Sequence, residues 1–130
     1  STHHYGAYPG TGAPVEQGSG PGEGTTLNVP LPPGATDVQI YEAIEEMLIP
    51  AVQEFRPDFV LISAGFDAMR DDLLGCFDVT PEGFAAITRL VKQFAEQACA
   101  GRIVSVLEGG YRLDGLAECA AAHVEVLAAD

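Results

Sequence analysis

The stretch Ser63-Ala64-Gly65-Phe66-Asp67-Ala68 follows directly on the apolar run Phe59-Val60-Leu61-Ile62, which sets one carboxylate on the turn leaving a predicted buried strand. Ligands and metals in open α/β sheets gather at the carboxyl ends of strands, so Asp67 is a candidate for binding chemistry. Its competing role is structural, as a cap on the next helix or an acceptor for turn amides. A second strand end, Leu107-Glu108-Gly109-Gly110-Tyr111, carries a tyrosine after two glycines on the same sheet edge. Tyr111 is either a hydroxyl donor facing that edge or an ordinary amphipathic tyrosine at a strand end. The run Tyr8-Pro9-Gly10-Thr11-Gly12-Ala13 is a third segment rich in glycine, the residue used where backbone must approach something closely.

Other residues invite chemistry with less support. Asp71 and Asp72 are neighbours on a loop, where adjacent side chains point apart, and they read as turn and surface residues. His123 falls on the inner side of the last predicted helix and reads as a core residue with its hydrogen bonds satisfied. Cys76, Cys99 and Cys119 form an odd, widely spaced set that matches neither a disulfide framework nor a CxxC zinc site. They read as small hydrophobes in a reducing cytoplasm.

The elements that must position these residues follow from pattern. Residues 1–35 hold six of the nine prolines and eight of the fifteen glycines, and read as a loop region with a short strand from Thr25 to Leu31. Thr36-Asp37-Val38-Gln39 is a capping box, and Ile40, Ile44, Met47, Leu48, Val52 and Phe55 repeat at helical spacing behind it. Pro50 removes an amide donor and crowds the preceding turn, which predicts a kink or break. Arg56-Pro57-Asp58 forces an extended turn before the strand Phe59 to Ser63. Thr80-Pro81-Glu82 then opens a helix whose buried stripe is Phe84, Ile87, Leu90, Val91 and Phe94, ended by Gly101. Ile103 to Leu107 is the next strand, and a last helix from about Leu113 turns Leu116, Ala120, Val124 and Leu127 inward. Strands and helices alternate over residues 36–130, which predicts a parallel sheet covered by helices on its faces, with 1–130 as one domain.

Composition narrows the function classes. The formal net charge is −13, with no basic patch, so the chain repels phosphates and direct nucleic-acid binding is not expected. That field attracts a cationic substrate, and an acidic surface also serves solubility. No apolar run approaches the roughly 20 residues needed to span a bilayer, and the polar, Gly-rich start carries no secretory signal.

The Tyr8, Asp67 and Tyr111 segments, in this order and at these separations, resemble the C-terminal half of histone deacetylases and the bacterial acetylpolyamine amidohydrolases. Leu27-Asn28-Val29-Pro30-Leu31, Arg56-Pro57-Asp58 and Asp71-Asp72-Leu73-Leu74-Gly75-Cys76-Phe77, followed by Thr80, extend the match over nearly the whole chain. The Glu-Gly-Gly-Tyr form is similar to class II and bacterial members. The resemblance implies the C-terminal half of the arginase/deacetylase fold and a zinc-dependent hydrolysis that removes acetyl groups from acetyl-lysine or acetylated amines.

It also implies roles. Asp67 takes the place of one zinc ligand, while the other two ligands and the tandem histidine base and acid belong to segments upstream of Ser1. Tyr111 takes the place of the hydroxyl donor to the oxygen that becomes charged as the amide is attacked. Tyr8, Leu74, Gly109 and Gly110 take places along the acyl-lysine channel, with Tyr8 where most members have Phe. Ser1 and Thr2 would touch a structural potassium ion, near which His3 and His4 also fall. The chain is therefore expected to be inactive alone, as a partial deacetylase domain. The alternatives are a non-catalytic module that oligomerises or complements a missing N-terminal half, and a hydrolase of acetylpolyamines or other small amides. A bare sheet edge predicts a homo-oligomer.

Overall fold

The computed structural model describes residues 1–129. In chain order the elements are β1 (Thr2–His4), a short 3-10 turn at Gly20–Gly22, β2 (Val29–Leu31), α1 (Asp37–Ala43), a π-helical turn at Ile44–Leu48, and α2 (Ile49–Phe55). There follow β3 (Val60–Ala64), α3 (Pro81–Cys99), β4 (Ile103–Leu107) and α4 (Leu113–Ala128). Two parallel pairs form, β1 with β2 and β3 with β4. The architecture is α/β with flanking helices, as the alternating pattern predicts. The strand within residues 25–31 is confined to Val29–Leu31, and its partner β1 lies in what the proline and glycine content marks as loop.

Helix starts follow the caps. Gln39 Oε1 accepts from the Thr36 backbone N–H at 2.8 Å, which is one half of a capping box. Thr80 Oγ1 accepts from Gly83 N–H at 3.1 Å and closes the first turn of α3 over Pro81. Asp37 joins the two starts, its carboxylate accepting from the Thr80 N–H at 2.8 Å and from the Thr80 hydroxyl at 2.7 Å. Gly83 leaves room for this contact, since a Cβ there would stand 2.1 Å from Asp37 Oδ1.

The regular α-helix is interrupted just before Pro50. The chain widens there into the π-helical turn, in which the Ile49 N–H reaches Ile44 O, and Pro50 then enters the first turn of α2, where its missing donor is not needed. The wider turn shifts the apolar stripe onto Leu48, Ile49 and Val52, leaving Met47 and Phe55 exposed, contrary to their helical spacing.

One core packs Ile40, Ile44 and Val79 with Phe84, Ile87, Leu90 and Val91 of α3. A second packs Phe66, Met69 and Cys119 between the Asp67 loop and α4, with Leu116 and Ala120 at its edge. Val124 points outward, because the buried line of α4 runs through Gly115, Cys119 and His123. His123 is buried and bonded on both ring nitrogens, Nδ1 at 2.7 Å from Thr88 Oγ1 and Nε2 at 2.9 Å from Ser105 Oγ. The Thr88 hydroxyl gives its proton to Phe84 O at 2.6 Å, so Nδ1 donates to Thr88 and Nε2 accepts from Ser105. The other face of the β3–β4 pair is bare: Leu61 is 76% exposed and Val106 58% exposed. Helices therefore cover one face of this pair among the described residues, not both.

Candidate functional site

β3 and β4 run in register from Val60↔Ile103 to Ala64↔Leu107, so their carboxyl ends lie side by side. Two more backbone bonds carry the pairing past the strands, Glu108 N–H to Ala64 O at 3.0 Å and Phe66 N–H to Gly109 O at 2.8 Å. The loops bearing Asp67 and Tyr111 thus leave one edge as a joined pair.

Three glycines shape the space around Asp67. A Cβ on Gly109 would stand 2.6 Å from Asp67 Cγ and Oδ2, and one on Gly65 would stand 2.9 Å from Oδ1. A Cβ on Gly75 would come within 1.6 Å of the Asp67 carbonyl oxygen. The carboxylate is therefore clasped between backbones that carry no side chain. Burial pushes the Asp67 carboxyl above its ordinary range; its own backbone amide works against this, and the negative charges of Asp72 and Glu108 add to it. A partly buried carboxylate raised in this way, with acidic neighbours, suits a cation as its partner. Among the described residues no group of three or more His, Cys, Asp or Glu side chains comes together to hold a metal.

Asp72, read from sequence as a turn and surface residue, has a larger part. Oδ1 accepts from the N–H groups of Leu74 and Gly75, both at 2.9 Å. Oδ2 accepts from the N–H groups of Tyr111 at 2.8 Å and Arg112 at 3.2 Å. Burial works to raise its pKa, and the four amides outweigh it and hold the carboxyl below its ordinary range. Arg112 also lies 3.6 Å from Asp71 and 3.3 Å from Asp114. No spacing rule flags Asp72, because its partners are 39 and 40 residues away; only the neighbouring glycine turn hints at it.

The structure brings Asp67, Gly109, Gly110 and the Tyr111 backbone to one strand edge. Gly110 has φ of 137° and packs against Phe66 and Leu116, a conformation and a space that both require glycine. The Tyr111 side chain is 46% exposed and Leu74 is exposed at the same loop cluster. Tyr8 stands fully exposed in the loop after β1, on the other strand pair. Ser1 and Thr2 also belong to that pair: Ser1 Oγ donates to Asn28 Oδ1 at 3.1 Å, and Thr2 is in register with Val29. His3 lies against the Gly12 carbonyl at 2.9 Å, and His4 packs edge-on to Phe77. Both lie on β1, in register with Pro30 and Leu31.

Residues 1–127 match the histone deacetylase domain. The chain belongs to the histone deacetylase family, as its motifs imply. It is 44% identical over 121 residues to histone deacetylase 14, chloroplastic, of Arabidopsis thaliana, covering 93% of this chain and 29% of that protein. It is 47% identical over 115 residues to a probable deacetylase of Archaeoglobus fulgidus, covering 88% of this chain and 32% of that protein. The chain thus spans about a third of the length of these curated relatives. Among solved structures, the HD domain of HDA15 superposes with a TM-score of 0.86 at 44% identity, covering 96% of this chain and 35% of that one. The histone deacetylase Clr3 superposes with a TM-score of 0.88 at 36% identity, covering 97% of this chain and 22% of that one. Among the described residues no helix is long and apolar enough to cross a membrane.

Proposed function

We propose that this chain supplies one metal-binding carboxylate and the hydroxyl donor of a zinc-dependent deacetylase acting on acetyl-lysine or acetylated amines. The observation that carries the reading is the Asp67 carboxylate clasped between Gly65 and Gly109 at the strand edge from which the Tyr111 loop also leaves. Asp67 would be one of the residues that hold zinc. Bound zinc acts as a Lewis acid on the scissile carbonyl and its attacking water. The Tyr111 hydroxyl donates to the carbonyl oxygen as negative charge develops, a contribution that matters more in the transition state than in the ground state. The backbones of Gly109 and Gly110 narrow the approach, and Leu74 and Tyr8 offer apolar surface to a methylene stem. An ion at Ser1 and Thr2, on the β1–β2 pair, would be potassium.

A catalytic zinc is held by about three protein ligands, so the remaining donors come from outside the described residues. The bare face at Leu61, Val104 and Val106 supports pairing with a complementing segment or a second copy. The test is metal analysis after dialysis together with an acetyl-lysine reporter. The chain alone is expected to hold zinc weakly and to show no turnover. A fusion that adds the Asp-x-His and tandem-histidine segments of a relative is expected to hold one zinc and to turn over. Stoichiometric zinc with no turnover in that fusion would count against the deacetylase reading and leave the non-catalytic module.

A further inference from the structure

The Asp72 carboxylate bridges two loops that are distant in sequence and adjacent at the candidate site. Oδ1 orders its own loop through Leu74 and Gly75, and Oδ2 holds the backbone of the β4 loop at Tyr111 and Arg112. The same loop carries Gly75 against the carbonyl of Asp67. One carboxylate thus ties the backbone that bears the metal-binding candidate to the backbone that bears the tyrosine.

We propose that Asp72 is a positioning residue, whose ionised carboxylate fixes the Tyr111 backbone and so sets where the Tyr111 hydroxyl stands relative to Asp67. The geometry stands on the hydrogen bonds alone; the use of that hydroxyl rests on the deacetylase reading. Hydrogen bonds to a charged acceptor are shorter and stronger than neutral ones, and four on one carboxylate hold both loops at once. Arg112 reinforces the arrangement, reaching toward Asp71 and Asp114 on either side of the clamp. Ser, Thr or Asn at position 72 cannot reproduce it, because none offers two acceptor oxygens in opposite directions. An asparagine would turn its NH2 group toward one of the two pairs of N–H donors.

The test uses the 130-residue chain. In Asp72→Ala, amide exchange at Tyr111 and Arg112 should accelerate by about tenfold or more, as loss of a charge-assisted bond implies, while Phe66 and Glu108 in the strand-end ladder keep their protection. A chain labelled with fluorotyrosine gives the second readout. Its Tyr111 signal, assigned by its absence in Tyr111→Phe, should move in Asp72→Ala while those of Tyr5, Tyr8 and Tyr41 stay in place. Should Asp72→Ala not fold, Asp72→Asn decides, because its NH2 group must face one of the two amide pairs, and exchange should accelerate at that pair, either Leu74 and Gly75 or Tyr111 and Arg112. Unchanged exchange at Tyr111 in Asp72→Ala, at both pairs in Asp72→Asn, or an equal loss of protection along the whole chain, would overturn the proposal. Neither readout measures turnover, so an inactive fusion would defeat the deacetylase reading and leave the coupling of the two loops standing.

Discussion

Asp72 Oδ2 receives the backbone N–H of Tyr111 at 2.8 Å across 39 residues of chain. The bond makes the loops after β3 and β4 one structural unit. Through it the backbone of the half-exposed Tyr111 is tied to the loop that follows β3.

Removing only the Tyr111 hydroxyl should separate chemistry from binding. In the fusion that completes the metal site, Tyr111→Phe should lower kcat by about a hundredfold with little change in KM, the loss expected for one donor to a developing oxyanion. Tyr8→Phe should be nearly silent, because Tyr8 offers its ring face to solvent. Steady-state kinetics on an acetyl-lysine peptide measures both.

Asp67 should cost stability when no metal is present. Its folded pKa lies above the ordinary aspartate value, so ionisation at neutral pH favours the unfolded chain, and the cost fades as pH falls through the folded pKa. Asp67→Asn should therefore raise the melting temperature of the metal-free protein at pH 7. The same change should abolish any further rise on adding zinc. Thermal melts with and without zinc show both effects.

The two glycines nearest Asp67 should respond differently to alanine. A Cβ at Gly75 meets the Asp67 backbone carbonyl, which cannot turn away, whereas one at Gly109 meets the Asp67 side chain, which can rotate. Gly75→Ala should cost at least the 1–3 kcal/mol or so of an overpacked core, and Gly109→Ala less, while displacing the carboxylate. Urea denaturation ranks the two variants, and zinc titration of the fusion shows whether Gly109→Ala impairs the metal site.

Acid should weaken the fold through His123. Burial lowers its pKa, so below the ordinary histidine value near 6.5 the unfolded chain takes up a proton that the folded chain refuses. Stability falls from there until the pH reaches the folded pKa. No charged group enters as a cause of the shift; the ring faces Thr88 and Ser105 through its nitrogens and Phe66 through its edge. In His123→Gln the slope of melting temperature between pH 7 and pH 5 should flatten, even though the variant starts less stable. A wild-type slope retained in the variant would assign the acid response to another group.

The alternation of strands and helices was legible because short apolar runs and capped amphipathic runs differ in period. Thr36 and Thr80 marked their helix starts for the same reason: a cap is a local bond. The strand-end positions of Asp67 and Tyr111 also put both on one sheet edge. What stayed hidden depends on long-range contact. The clamp by Asp72 joins residues 39 and 40 apart, and the β1–β2 pair joins a three-residue strand to another through a Gly/Pro-rich loop with no periodicity of its own. The outward turn of Phe55 could not be read either, since helical spacing assumes an unbroken 3.6-residue period.

The π-helical turn at Ile44–Leu48 means that this helix contains one residue of slack. A regular α-helix could run from Asp37 to Phe55 with that residue removed, because a π turn with its one extra residue and an ordinary α turn wind the chain through about the same angle. Deleting Glu46 should thus preserve helix content and keep Leu48 and Ile49 on the side that packs against Ile40 and Val79. The extra residue therefore leaves the direction in which Arg56-Pro57-Asp58 delivers the chain to β3, and with it the place of Asp67, as a regular helix would set them.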